Sequence, residues 1–280
     1  MRSLNVKILF VAALAFLGLM AVTSCFPAVE ASEMRNATFP LSGRLSLIVD
    51  GTNGNVTVHG QEGLQEVRVT ATLHSWGMSQ AEADKNLTAI NVQMSQQGNE
   101  VHLRHIARTQ VGFGFFKSDQ VSFEVWIPST ADLSLTTENG NIVAEIVNGD
   151  TVVAGTENGN ISLSAVNGAL KLTTENGNIR VEKTTASITA ATENGNIRFS
   201  GHLIGTQHSA RTDNGNIDFM IPADSSLHID ARVNNGSIHS DLPVNGEMKN
   251  RHWDVTLNDS QAMLTATTDN GGISFEELSN

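Results

Sequence analysis

Four copies of Thr-Glu-Asn-Gly-Asn, beginning at Thr137, Thr156, Thr174 and Thr192, and a fifth written Thr-Asp-Asn-Gly-Asn at Thr212, limit the possible folds more than any other feature. The wider element, Asn-Gly-(Asn/Ser/Gly)-(Ile/Val), begins at Asn53, Asn139, Asn158, Asn176, Asn194, Asn214, Asn235 and Asn270. From Asn139 to Asn235 the steps are 19, 18, 18, 20 and 21 residues. Weaker Val-Asn-Gly copies at Val147 and Val166 fall about halfway, so two short strands and two turns fit each period. After each turn comes Ile142, Ile161, Ile179, Ile197, Ile217, Ile238 or Ile273, and two places on Ala144, Leu163, Val181, Phe199, Phe219, Ser240 or Phe275. Before the turn stand Leu133, Val152, Leu170, Ile188, His208, Ile229 and Leu264, and two places on Leu135, Ala154, Leu172, Ala190, Ala210, Ala231 and Ala266. This alternation of two marks strands with one buried face. Identity between copies means that like residues stack on like, each level about 4.8 Å above the last. A buried Ile contributes about 1.5–3 kcal/mol, yet one coil alone buries neither face of its strands. The expectation is therefore an all-β parallel β-helix, or β-solenoid, of 18–20-residue coils with a right-handed turn, stable only as an array.

The turn chemistry follows from the same alignment. Glycine takes positive φ freely and asparagine does so more readily than most residues, so the Asn-Gly-Asn run reads as a tight corner. Successive asparagines can hydrogen-bond up the stack, and Thr137, Thr156, Thr174, Thr192, Thr212 and Thr268 form a parallel column. Between them runs an acidic column, Glu138, Glu157, Glu175, Glu193 and Asp213, with Asp269 beyond. It is the candidate cation or ligand edge. Neighbouring carboxylates about 5 Å apart repel by roughly 0.8 kcal/mol in water before salt screening. Four such pairs sum to about 3 kcal/mol, which buried ladders exceed, so no metal and no cofactor is required. A calcium-stabilised surface protein stays open as an alternative, although the Gly-Gly-x-Gly-x-Asp turn of calcium-binding β-rolls is absent.

Less regular segments surround the array. Leu45–Gly60 already reads as a coil, and residues 67–73, 101–106 and 121–127 alternate as strands. Ser79-Gln80-Ala81-Glu82 has the form of a capping box opening a short helix inserted near residues 79–89. Residues 38–130 are expected to be opening coils with this helical excursion, and residues 131–280 the regular coils of one solenoid domain. "VWIPSTADLSL" at Val125 and "FMIPADSSLHI" at Phe219 echo one another, which suggests two related blocks with a seam near Pro222. Residues 108–120 and 241–260 are the expected protruding loops. Phe113, Phe115 and Phe116, in the Gly-rich first loop, form a candidate contact patch or a cap on the open core. Trp126 is expected in the core. His102 and His105 point to opposite faces of a strand, so they do not share a metal. His208 stands in an apolar column and is expected to be displaced at a bulge.

The N-terminus reads as an export signal. Arg2 and Lys7 flank an uncharged apolar stretch from Ile8 to Val22, too short and wrongly flanked for a permanent span. It ends in Val22-Thr23-Ser24-Cys25, which resembles the bacterial lipobox, with Cys25, the lone cysteine of the chain, at the lipidated position. Residues 26–37 are then expected to be a tether. Loss of residues 1–24 moves the formal charge from −12 to −14, which excludes nucleic acid as a natural partner. Attachment to the membrane falls to the lipid anchor. Phe26 replaces the aspartate of an inner-membrane retention signal, so the expected location is the cell envelope, at the outer membrane of a Gram-negative bacterium.

The recurrent Asn-Gly-Asn-Ile, the run "FEVWIPSTADLSLTTENGNI" and the closing "AMLTATTDNGGISF" resemble the bacterial β-strand-repeat "putative adhesin" family, related to the auto-transporter adhesin head (GIN) domain. The resemblance covers residues 38–275 and implies a parallel β-helix-like fold. It implies adhesin-like or scaffold contact with an envelope protein or a surface glycan, and no mechanism. A carbohydrate-active β-helix enzyme is the alternative. Against it, most coils leave no room for loops that could form a cleft, GxSxG and HExxH motifs are missing, and an evenly spaced acidic edge offers no distinct acid and base.

Overall fold

The computed structural model describes residues 28–106, 119–259 and 262–278. Among these the chain forms one hydrogen-bonded sheet of 20 strands, wound into a solenoid, with one α-helix. The regular coils are single bent strands, Ile142–Asn158, Ile161–Asn176 and Ile179–Asn194. Each stacks in parallel with identical positions opposed. Ile161 lies between Ile142 and Ile179, Leu170 between Val152 and Ile188, and Asn176 between Asn158 and Asn194. The inward residues make one continuous core; at its distal end Phe219 lies between Phe199 and Phe275, tilted against the first and stacked on the second, with ring centroids 5.9 Å apart on either side.

Two corners bound each coil, and they work differently. In mid-strand the chain turns at Ile146, Ala165 and Lys183, held in the left-handed region at φ 57°, 53° and 54°, after which Val147, Val166 and Thr184 are buried. Gly54, Gly215, Gly236 and Gly271 have the expected positive φ, but at the Asn-Gly-Asn corners of the regular coils the glycine is required for another reason. A Cβ on Gly140, Gly159, Gly177 or Gly195 would stand 2.0, 1.9, 1.8 or 1.9 Å from the carbonyl oxygen of the turn glycine one level below, while φ at these four lies outside the left-handed region. Close approach between levels excludes a side chain there.

Around this glycine ladder the side-chain ladders form as the columns predict. Asn158, Asn176, Asn194 and Asn214 each donate Nδ2 to Oδ1 of the asparagine below at 2.9–3.0 Å. The second asparagine of each turn accepts the backbone N–H of its counterpart above at 2.8–2.9 Å. Thr156, Thr174, Thr192 and Thr212, all buried, donate Oγ1 to the turn-glycine carbonyl one level below at 2.9–3.0 Å. A carbonyl that the tight corner would leave short of partners is thereby satisfied.

Levels do not follow chain order at the two ends, contrary to the simple expectation of consecutive stacking. After Ile217–Ile221 the chain crosses Pro222 to Leu227–Asn235, stepping over one level. The last coil fills the gap: Ala266 lies between Ala210 and Ala231, and Ile273 between Ile217 and Ile238. The first coil does the same. Leu47 lies between Val101 and Leu133, and Val56 between Phe123 and Ile142. The echo around Pro128 and Pro222 is the sequence mark of these two steps. Inserting a terminal coil gives it two neighbouring levels to pair with, where an end position would give one.

Antiparallel strands cover both ends. His252–Leu257 pairs with Leu227–Asn235 and carries Asn245–Lys249, so the segment expected to be a protruding loop at residues 241–260 is a hairpin over the last level, through Asp259. At the other end Asn91–Gln97 covers Glu100–Ile106, and Val29–Pro40 pairs along its whole length with Glu66–Gly77. The expected tether at residues 26–37 is therefore strand from Val29 onward; its largely polar pattern, with Ala31 alone fully buried, conceals the period. The helix Gln80–Thr88 begins where the capping box predicts: Glu82 N donates to Ser79 Oγ at 3.3 Å, and the Glu82 carboxylate returns to the Met78 N–H at 2.9 Å. Its Ala83 is buried, and the Ala83 carbonyl accepts from Ser75 Oγ of Glu66–Gly77 at 2.7 Å.

Candidate functional site

The acidic column stands where the repeat predicts, on the edge between the threonine and asparagine ladders. Each carboxylate lies between a hydrogen-bonded threonine and a hydrogen-bonded asparagine, so Glu138, Glu157, Glu175, Glu193 and Asp213 share one backbone setting. They form one wall of an open groove of about 780 Å³. Small residues, Thr136, Gly155, Thr173 and Ala191, line it beside them, with Arg104 at one end and Arg211 at the other. Arg211 binds Asp213 at 2.8 Å and reaches Asp269 at 3.9 Å, so the distal carboxylates are paired while the four glutamates face solvent. The inserted coil lengthens the wall: Asp269 follows Asp213 and accepts from Asn234 at 2.6 Å. Among the described residues no group of three or more His, Cys, Asp or Glu side chains has the geometry to hold a metal ion.

Across the same corner lies a second open groove of about 480 Å³, lined by the outer asparagine ladder with Arg180, Arg198 and Asp218. The corner thus separates an acidic face from one of mixed charge. Arg44 joins a further cluster, binding Asp132 at 3.0 Å and Asp150 at 3.2 Å. Burial pushes the Asp132 carboxyl up, but bonds from Arg44 and from the N–H groups of Thr151 and Asp150 outweigh it and hold the group below the usual carboxylate range.

Three histidines and a tryptophan test the remaining site expectations. His102 and His105 do lie on opposite faces: His105 is buried, and His102 Nε2 meets Glu100 at 2.7 Å. His208 is not displaced. It keeps the column register opposite Leu264, is 3% exposed, and neither ring nitrogen has a hydrogen-bond partner. Burial holds its pKa below the ordinary histidine value. Trp126, expected in the core, points outward. Phe123, Val125 and Ile127 are the buried residues of that strand, so alternation places Trp126 on the solvent face, where it stacks on His59 with centroids 4.5 Å apart. That parity was available in the sequence. Cys25 and the candidate patch Phe113, Phe115 and Phe116 lie outside the described residues.

A family model described as Toastrack DUF4097 matches residues 46–276. No curated protein matches the sequence. Among solved structures, a putative adhesin from Bacteroides fragilis aligns at 15% identity and TM-score 0.48, covering 88% of this chain and 97% of that one. A putative cell adhesion protein from Clostridium sporogenes aligns at 11% identity and TM-score 0.37, covering 89% and 100%. A putative lipid binding protein from Parabacteroides distasonis aligns at 10% identity and TM-score 0.36, covering 87% and 96%.

Proposed function

The chain belongs to the Toastrack DUF4097 family, and from that premise we propose that it is an adhesin-like, non-catalytic binding module of the cell envelope. Its contacts are made by the outer rows of the solenoid. One observation carries the reading: the four solvent-facing glutamates of the acidic groove are repeated in one backbone setting. General acid–base work on a glycosidic bond needs two carboxyl groups whose surroundings push their pKa values apart. Glu138, Glu157, Glu175 and Glu193 each sit between the same threonine and the same asparagine, on a rigid ladder. Such an edge presents a periodic charge pattern and differentiates no acid from a base. Stiffness also favours binding, because levels locked by ladder bonds lose little conformational entropy when a partner docks.

The names of the adhesion-related structures above agree with this reading, as does the resemblance of Val22–Cys25 to a lipobox. On that basis Cys25 is the lipidated residue, the outer membrane the location, and a second envelope component the partner. The test is a pull-down from a detergent-extracted envelope fraction with the full chain. Recovery of a stoichiometric protein or glycan partner supports the proposal. Release of smaller products from an envelope polysaccharide by the purified chain refutes it.

A further inference from the structure

Trp126 and Ile146 are the two large apolar side chains exposed on one neighbourhood of the outer sheet, 42% and 57% accessible. The positions in register with Trp126 on the following levels are polar, namely His59, Glu145, Ser164, Glu182 and Ser200, and the corner positions after Ile146 are Ala165 and Lys183. Ile146 is also strained. Its φ of 57° is the left-handed corner that Ala165 and Lys183 share at their own levels, and a β-branched residue is the poorest choice for it. A chain that accepts both strain and exposure at one side chain retains it for something outside the fold.

The surroundings say what that is. Trp126 stacks on His59, and His59 stands between two carboxylates, with Nε2 3.6 Å from Glu124 and Nδ1 3.5 Å from Glu145. Arg68 of the adjacent strand donates Nε to Glu66 Oε1 at 2.6 Å and is the register partner of Trp126. One pleat repeat further along the same strand, about 6.6 Å, Pro128 enters a depression of about 570 Å³ walled by Ile146, Leu64 and Asn148. We infer that this surface is a glycan-binding site, in which a pyranose ring lays its C–H face on the side of Trp126 turned away from His59 and a second ring enters the depression against Ile146. The inference rests on the binding-module reading and names the ligand class and the residues. A flat apolar ring flanked by acceptors, Glu124 and Glu145, and by a donor, Arg68, matches a neutral ring with a rim of hydroxyls. A site for an organic cation would match less well, because the nearby carboxylates are already engaged, Glu66 by Arg68 at 2.6 Å and Glu124 and Glu145 by His59 at 3.6 and 3.5 Å. The depression lies within the range of ordinary ligand pockets.

The experiment titrates the full chain with hexasaccharides of glucose, N-acetylglucosamine, galactose and mannose, and with poly-lysine as a cationic probe. Tryptophan fluorescence reports binding and chromatography of the recovered sugar reports cleavage. Saturable binding of at least one hexasaccharide, weakened tenfold or more in Trp126→Ala and largely kept in Trp126→Phe, is the expected result. Ile146→Asn is expected to bind more weakly while melting at a higher temperature, because asparagine accepts the left-handed corner; this separates lost binding from lost folding. Three outcomes overturn the proposal: no hexasaccharide bound at millimolar concentration, binding indifferent to Trp126→Ala, or binding of poly-lysine in place of sugar. If the site fails while the envelope pull-down still recovers a partner, the binding-module reading stands. If a bound sugar is returned cleaved, that reading falls.

Discussion

Replacing His208 with leucine is expected to stabilise the protein, and to do so most at acid pH. The imidazole is 3% exposed, stands opposite Leu264, and has no hydrogen-bond partner at either nitrogen. No charge faces it. The charged groups on the adjoining strands, Arg180, Glu182, Lys183 and Glu193 on Ile179–Asn194, Arg211 and Asp213 on its own strand, Asp269 on Ala262–Asn270, Arg198 on Ile197–Leu203 and Asp218 on Ile217–Ile221, all occupy outward positions. An unmet buried polar group costs about 1–3 kcal/mol, and leucine is the residue used elsewhere in this column, so His208→Leu is expected to gain about 2 kcal/mol at pH 8. The pH dependence has a definite sign. Because the folded-state pKa lies below the ordinary value, the unfolded chain takes up the proton first as pH falls. Stability is then lost below about pH 6.5, by up to about 1.4 kcal/mol per pH unit, until the folded state also protonates. Urea unfolding of both proteins at pH 8, 7, 6 and 5 measures this directly. Histidines paired with carboxylates, such as His74 with Glu30 and His228 with Asp254, are common to both proteins and cancel in the difference. A difference that stays constant between pH 8 and 5, or a leucine variant less stable at pH 5, would refute the reasoning.

Three further substitutions probe the ladders. Gly177→Ala places a Cβ 1.8 Å from the Gly159 carbonyl oxygen and must force adjacent levels apart, so a loss of about 3 kcal/mol or more is expected in chemical unfolding. Thr174→Val keeps the shape but removes the 3.0 Å bond to the same carbonyl, at a cost of about 1–2 kcal/mol by the same measurement. Glu175→Gln relieves two like-charge contacts and is expected to raise stability by up to about 1 kcal/mol at low salt, a gain that shrinks in 1 M salt. Addition of calcium in place of chelator is expected to leave Tm unchanged in both the parent and Glu175→Gln; a calcium-dependent rise confined to the parent would make the acidic edge an ion site.

The sequence made the ladder columns legible because each side chain there touches its own equivalent, so periodicity and contact are the same information. The helix at Gln80–Thr88 was legible through a local device, the Ser79–Glu82 cap. What escaped depends on partners far away in the chain. The inserted terminal coils keep the same inward pattern wherever they stack, so alternation identifies Ala266 as buried without saying that Ala210 and Ala231 are its neighbours. Val29–Pro40 buries little and carries almost no hydrophobic period. Positive φ accounts for Gly54, Gly215, Gly236 and Gly271, but at Gly140, Gly159, Gly177 and Gly195 the constraint is the carbonyl of another level, which a one-residue argument does not see. At the candidate sites, the acidic groove was readable as a column. The Trp126 neighbourhood was missed because an aromatic in a strand suggests a core residue, although Phe123, Val125 and Ile127 already fix the opposite parity.

Intercalation of the terminal coils, with like residues opposed, is tested most directly by paired cysteines in a chain whose Cys25 is serine. Met263 has Gln207 as its register partner on one side and His228 on the other. Adjacent levels put Cα atoms about 4.8 Å apart, within disulfide range, and next-nearest levels about 10 Å apart, beyond it. Gln207→Cys with Met263→Cys, and Met263→Cys with His228→Cys, are expected to close a disulfide under mild oxidation, while Gln207→Cys with His228→Cys remains reduced. Closure of the Gln207–His228 pair, with both Met263 pairs open, would mean that the levels follow chain order and would contradict the account.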